Sequence, residues 1–297
     1  MNFRHLKIFL SVCEAGNMTR AAKDLYITQP SVSQAITELE KYYEVRLFER
    51  FSHRLYLTPS GERLRTYAQH MLNLSEQARQ DLIDLSHEGS VRIGASLTIG
   101  TYLLPGLIST FQVNFPHIEV FSRVDNTSVI GKLLLEDQLD LGLVEGHIIS
   151  PHITEEFFSF DDLVFIASPK HPLAKPGKYT LHDLAEQSFL IREVGSGTQE
   201  IFAHAMQFAG IPWKTAGVYN NNEAIKQAVI ANLGLAMLSK ISIITEVQQR
   251  LIVPLDVDGV SLRRKFNLVF HRQKFFTRAM QLFWDSCKSI AELTRIP

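Results

Sequence analysis

Cysteine is almost missing from this sequence: Cys13 and Cys287 are the only two in 297 residues. They lie far apart and in no metal-ligand spacing, which argues against a disulfide framework or a zinc site and fits a reducing, cytoplasmic setting. Long hydrophobic runs are missing as well. No stretch reaches the roughly eighteen apolar residues of a membrane span. Glu14 and Asn17 break the basic opening MNFRHLKIFL before an export signal could form, so no membrane partner is expected. A charge excess is also lacking, with 30 Lys and Arg against 31 Asp and Glu, and any surface for a polyanion has to be local.

Catalytic motifs are missing too. No Walker or dinucleotide-binding pattern occurs. Gly195-Ser196-Gly197 looks like part of a nucleophile turn, but Val194 stands where a G-x-S-x-G elbow needs its first glycine. The eleven histidines fall in no spacing that assembles a triad. The chain is therefore not read as an enzyme, and no catalytic residue, metal or cofactor is assigned to it.

What is present begins with ordinary globular composition, 45% hydrophobic and 21% charged, enough to bury cores in one small and one large domain. Residues 1 to 65 hold ten Lys or Arg against seven acids, a modest local excess. In the same stretch Phe3, Leu6, Phe9, Leu10 and Cys13 recur at helical spacing, and Gly16 suits the stop. A short helix is expected from Met18 to Leu25, capped by Asn17 or Thr19. Thr28 can cap a third helix with Pro30 in its first turn. Val32, Ile36, Leu39 and Tyr43 would be its buried stripe, leaving Gln29, Ser31, Ser33, Gln34 and Thr37 to point elsewhere.

This order of features is the helix-turn-helix plan, whose last helix enters the DNA major groove and reads base edges from its N-terminal end. Gln29, Ser31, Ser33 and Gln34 are the candidate readers. Thr28, Lys41 and Arg54 suit phosphate, and Pro30 and Thr37 complete the DNA-facing set. Solvation of an exposed helix face is the plain alternative for the same polar residues. Residues 45 to 57 read as a hairpin or wing with a Ser52-His53-Arg54 tip. Residues 59 to 87 read as one long helix in which Leu64, Met71, Ala78 and Leu85 recur every seventh position. Tyr67 or Ala68, Leu74 and Leu82 fill the positions between, a pattern that suits pairing with a second copy.

Past Glu88-Gly89-Ser90 strands and helices alternate, which implies α/β layers with a mostly parallel sheet. Three loops there precede helices and carry neutral hydrogen-bonding groups: 96 to 101, 195 to 198 and 220 to 222. Ser96, Thr98, Ile99 and Thr101 belong to the first, Ser196, Gly197 and Thr198 to the second, Asn220 and Asn221 to the third. With Glu145 they form the candidate effector-binding set, suited to a small oxyanion or carboxylate at helix N-termini. Each loop is equally an ordinary helix cap.

The run Ala21 to Ile36, AAKDLYITQPSVSQAI, then Leu39-Glu40, Leu47-Phe48-Glu49-Arg50 and Leu57-Thr58-Pro59-Ser60-Gly61, closely resembles the N-terminal signature of LysR-type transcriptional regulators. The remainder resembles that family's effector domain in length and element order. The resemblance implies a winged helix-turn-helix over 1–58, a dimerising linker helix over 59–88, and a two-lobed effector domain similar to periplasmic binding proteins over 89–297. The lobes would be about 90–165 plus 267–297, and about 166–266. It also implies a homodimer or homotetramer on double-stranded DNA with dyad half-sites, RNA polymerase as a further partner, and a small-molecule effector between the lobes. Family members often carry Arg directly after a Gly-Ser-Gly-Thr run. Gln199 stands there in this chain, which puts a multiply charged effector in doubt. Arg192 and Glu193 are expected to pair with each other. The rival readings are a small-molecule-binding enzyme, or a solute-binding protein with an incidental helical domain at its start.

Overall fold

A computed structural model describes residues 1–51, 54–83, 89–258 and 262–293. The chain divides into two compact units, Met1–His87 with Leu135–Asp137, and Glu88–Leu134 with Gln138–Pro297.

In the first unit, α1 (Phe3–Ala15) is capped by the Asn2 side chain and stops at Gly16, whose φ of 62° is left-handed. Of the two expected caps for α2 (Met18–Asp24), Asn17 is the one used: its Oδ1 accepts from the Thr19 and Arg20 N–H groups. Tyr26, at φ 55°, turns the chain into α3 (Gln29–Tyr43). Val32, Ala35, Ile36 and Leu39 bury one side of α3 against Leu6, Phe9, Val12 and Ala21, and each of the larger side chains, the alanines excepted, contributes about 1.5–3 kcal/mol if fully withdrawn from water. Strands β1 (Phe48–Phe51) and β2 (Arg54–Leu57) pair antiparallel as the expected wing; Ser52 and His53 at its tip lie outside the described residues.

Helix α4 (Pro59–Ile83) begins where the Thr58 hydroxyl donates to the Arg46 carbonyl and accepts from Gly61 N–H. Its seven-residue stripe turns out to be divided. Leu64 and Ala68 are buried in the core of their own unit, with Met71 packed beside them, because the first turns of α4 close that small core. Tyr67, Leu74 and Ala78 are exposed. Leu85 lies outside the described residues, as does the side chain of Leu82.

The second unit carries a seven-stranded sheet in the order β10-β6-β13-β5-β3-β4, with β11 also on β6. Its members are β3 (Ser90–Ala95), β4 (Glu119–Val124), β5 (Leu141–Glu145), β6 (Ile153–Ala167), β10 (Ala236–Ser239), β11 (Val253–Pro254) and β13 (Arg263–His271). The expectation of a mostly parallel sheet needs correcting. Only β3–β4 and β3–β5 are parallel in it, and every other pairing is antiparallel. The reason lies in β6 and β13, two long strands that pair over their length and need no crossover helix. Two small sheets, β7 (Lys178–Thr180) with β12 (Asp256–Asp258) and β8 (Ser188–Arg192) with β9 (Lys214–Tyr219), are parallel.

Helices α5 (Leu97–Tyr102), α6 (Leu104–Asn114), α7 (Thr127–Leu135) and α11 (Arg278–Leu293) belong with β3, β4 and β5. Helices α5, α6 and α11 share a core built on Val91, Ile93, Phe111, Leu143, Phe266 and Phe283, while α7 packs Ile130, Leu133 and Leu134 against Val144 and Val269. Helices α8 (Gly197–Phe208), α9 (Asn222–Ile230) and α10 (Ile244–Gln248) belong with the other strands, around Phe165, Phe189, Phe202 and Leu235 in one cluster and Ile166, Leu190 and Ile225 in another. This unit thus has two lobes, and β6 and β13 pass from one to the other. Along β6, Leu163 and Phe165 serve the second lobe; along β13, Phe266 and Leu268 serve the first. The crossing falls at Asp161 and Arg264.

Candidate functional site

Two regions gather the candidate residues. The first is α3. Gln29, Pro30, Ser31, Gln34, Thr37 and Lys41 are exposed and Ser33 is half-buried, while the opposite side of the helix is core. Thr28 is the cap: its Oγ1 accepts from Ser31 N–H at 3.4 Å and lies 2.8 Å from Ser31 Oγ. The hydroxyl of Thr37 donates to the Ser33 carbonyl, and Gln34 Nε2 donates to Glu38 Oε1 at 2.9 Å. The Gln34 carbonyl oxygen is a further acceptor on this exposed side of the helix. Arg54 opens β2, and its side chain lies outside the described residues. The α3 surface has the length and the polar N-terminal end that major-groove reading requires.

The second region lies between the lobes of the second unit, and one residue that the sequence reading missed organises it. Arg264, 3% exposed, donates through NH1 to Glu145 Oε2 at 2.6 Å and to Thr198 Oγ1 at 2.8 Å, and through NH2 to Thr98 Oγ1 at 3.2 Å. Its Nε donates to Asp161 Oδ2 at 2.7 Å. A single guanidinium therefore ties the start of α5 in one lobe to the start of α8 in the other. Burying such a group is costly unless nearly every donor finds an acceptor, and here the carboxylates of Glu145 and Asp161 supply the charge.

Glu145 is itself held twice over. Besides Arg264, its Oε1 accepts from the Thr98 N–H at 2.6 Å, and its own N–H donates to Ser96 Oγ at 3.1 Å. Burial alone would raise its carboxyl pKa, but the charge of Arg264 and the hydrogen bonds from Thr98 outweigh that and hold it below the ordinary value. Asp161 moves the other way: burial dominates, the neighbouring Glu145 charge adds to it, and its pKa is raised despite Arg264 and Ser239.

The α8 end of the region is different. Ser196 is the N-cap residue of α8 but makes no capping bond, and its Oγ, in a residue 2% exposed, meets no hydrogen-bond partner among the described residues. A buried orphan hydroxyl costs about 1–3 kcal/mol, so its position calls for an explanation. The lobes meet closely here. A Cβ on Gly197 would stand 2.6 Å from the Glu145 carbonyl oxygen, and one on Gly195, at φ 88°, 2.5 Å from Ser128 Oγ, so only glycine fits either place. Farther along the same face, the Tyr102 hydroxyl of the first lobe donates to Glu223 Oε1 of the second at 3.0 Å.

Of the expected effector residues, Ser96, Thr98, Glu145, Gly197 and Thr198 are thus brought together, with Ser196 beside them. Ile99 is a core side chain, so only its backbone is placed at the α5 end. Thr101 is exposed at the far end of α5. Asn220 and Asn221 are exposed as well, and Asn221 is an ordinary cap, accepting from Ala224 N–H at 2.8 Å. The inward member of that loop is Asn222, which accepts from Arg192. Arg192 also pairs with Glu193 at 2.8 Å, as expected. A signal for the missed pair exists in the sequence: Arg264 shares strand parity with Phe266 and Leu268, and Asp161 with Leu163 and Phe165, so both face inward. An open groove of about 510 Å³ between α6 and β4, lined by Leu104, Ile108 and Val124 among others, holds no charged side chain and is no part of this region.

Comparison with known proteins accounts for both regions. Residues 3–62 match the family model described as bacterial regulatory helix-turn-helix protein, lysR family, and residues 85–291 match the LysR substrate binding domain. The chain is 33% identical over 291 residues to the HTH-type transcriptional regulator CysL of Bacillus subtilis, covering 97% of each. It is similar to the solved structure of full-length CbnR complexed with its target DNA, at a TM-score of 0.66 and 22% identity over 97% of this chain and 99% of that one. It is likewise similar to the CcmR regulatory domain of Synechocystis PCC6803 in complex with 2-PG, with 26% identity and a TM-score of 0.66 over 70% of this chain and 99% of that domain.

Proposed function

This chain belongs to the LysR family of transcriptional regulators, and from that premise we propose that its effector is a small anion held between the lobes at the start of α8. It is a DNA-binding regulator controlled by a small molecule, and not an enzyme. The reading rests above all on Ser196 Oγ, a buried hydroxyl without a partner among the described residues, set at the N-terminus of a twelve-residue helix. Free N–H groups and the positive end of the helix dipole favour an anion at such a place. Gly197 and Thr198 supply the backbone, with Ser96, Thr98 and Glu145 facing them. That the similar CcmR domain holds 2-PG accords with a small ligand in this half of the chain.

On the DNA side, Gln29, Ser31, Ser33 and Gln34 face base edges, while Thr28, Lys41 and Arg54 set register on phosphates. The linker spans 59–88. The lobes change over at Asp161 and Arg264, a few residues before the boundaries of about 165 and 266 expected from the sequence. The exposed Tyr67, Leu74 and Ala78 of α4 pair with a second copy, which gives a dimer two recognition helices for dyad half-sites. The protein acts in the cytoplasm, where its DNA is. Selection of bound fragments from the source genome, followed by footprinting, tests the DNA assignment. We expect two protected half-sites with the wild type and loss of protection with Gln29→Ala; an unchanged footprint would remove Gln29 from the interface. Thermal-shift screening of small carboxylates and of sulfur and phosphorus oxyanions tests the other half. A stabilising anion should lose its effect in Ser196→Ala, and an equal effect in both proteins would move the site elsewhere.

A further inference from the structure

We propose that Glu145 is a charge filter: its carboxylate occupies the α5 end of the interlobe site from within the chain, so that the cleft takes an effector whose anionic group carries one negative charge and turns away doubly charged ones. The inference rests on the reading of the α8 N-terminus as an anion site and names the charge class that this site accepts.

Donor groups face the space between the lobes from two sides, the Thr98 N–H on one and the start of α8 on the other. Here one of the places is taken. Glu145 Oε1 already accepts from the Thr98 N–H of α5 at 2.6 Å, and Oε2 already takes an Arg264 donor at 2.6 Å. Arg264 has little left to offer a ligand, since its other donors serve Asp161, Thr98 and Thr198. The fixed charges at the crossing are one guanidinium against two carboxylates.

The vacant hydrogen-bonding capacity is at the other helix. Ser196 Oγ is buried and unpartnered among the described residues, at the start of the twelve-residue α8. An anion bound there would sit next to Glu145: the Glu145 carbonyl oxygen lies against the Gly197 Cα, and one nitrogen of Arg264 bridges Glu145 Oε2 and Thr198 Oγ1. At that separation, in a site walled from water, each further negative charge on the ligand is opposed by the Glu145 carboxylate. One charge is compensated by the α8 N–H groups and dipole; for a second there is only Arg192, whose charge already acts on Glu145 and whose donors already serve Glu193 and Asn222. Gln199, on α8, supplies none.

Sulfate and methanesulfonate make the test, since they share a tetrahedral sulfonyl head and differ by one charge. Calorimetric titration of the full-length wild type should give tighter binding of methanesulfonate. Glu145→Gln keeps the acceptor for Thr98 N–H and removes the charge, and it should tighten sulfate about tenfold or more while changing methanesulfonate much less. Sulfate bound as tightly as methanesulfonate by the wild type would overturn the proposal without any variant, should Glu145→Gln fold poorly. Loss of both probes in Ser196→Ala, together with no gain for sulfate in Glu145→Gln, would sink the filter while leaving the anion site standing. Binding of neither probe to the wild type would sink the site and the filter alike.

Discussion

Arg264 NH1 stands 2.6 Å from Glu145 Oε2 with both side chains almost wholly buried, at the point where β6 and β13 pass between the lobes. The pair joins the two halves through polar contacts where the cores on either side are apolar. Removing the cation leaves Glu145 and Asp161 buried and unmatched. We therefore expect Arg264→Ala to cost about 3–5 kcal/mol of effector-unit stability, read as a lowered urea midpoint. A loss well under 1 kcal/mol would show that the guanidinium is no strut.

The wing and the linker meet at Gly61. A Cβ there would collide with the Leu47 carbonyl oxygen and stand 2.8 Å from Leu57 Cδ2. The first of these is backbone and cannot step aside, so Gly61→Ala should destabilise the DNA-binding unit by about 1–3 kcal/mol. Thermal melting of the full chain should show a transition moved to lower temperature, and DNA binding should weaken with it. Unchanged melting would mean that the wing relaxes freely.

On α3 the contacts divide by kind. Gln29→Ala should cost about 1–3 kcal/mol on a selected duplex and little on random DNA, as for a lost base contact. Lys41→Ala should weaken both and reduce the salt slope of binding by about 1. Titrations at several salt concentrations separate the two, and equal losses from Gln29→Ala on both duplexes would contradict the assignment.

Much of this organisation was legible in the sequence because local signals and tertiary context agree. The caps Asn17 and Thr28, the stop at Gly16 and the stripe Val32-Ile36-Leu39 all act as their residue types suggest. The hinge was not legible. The start of β6, ITEEFFSFDD, carries acids on both faces, which hides its strand period. Arg264 stands between the exposed Arg263 and Lys265 at the polar start of β13. Both escape local pattern because their burial depends on a charge partner about a hundred residues away, and sequence spacing says nothing of it. In the linker, a seven-residue stripe described two surfaces at once, and only packing separates Leu64 and Ala68 from Tyr67 and Leu74.

Acid should act on the effector unit through Asp140. Burial alone would raise its pKa, but the hydrogen bond from Arg92 and the charge of Lys274 hold it below the ordinary carboxylate value. A depressed folded pKa contributes stability that is present above the unfolded value, about 4, and is lost as pH falls through the folded one. Asp140→Asn should therefore lower stability at neutral pH and flatten the decline below about pH 4. Parallel acid limbs in the two proteins would contradict this.

Anion binding at the start of α8 should change how α3 holds DNA. The most direct test is fluorescence anisotropy of full-length protein on a duplex selected from the genome, with and without the anion that most raises its melting temperature. The wild type should change its DNA affinity several-fold when the anion is added, and Ser196→Ala should not respond. A Ser196→Ala protein that responds at the same anion concentration and to the same extent as the wild type would contradict the account.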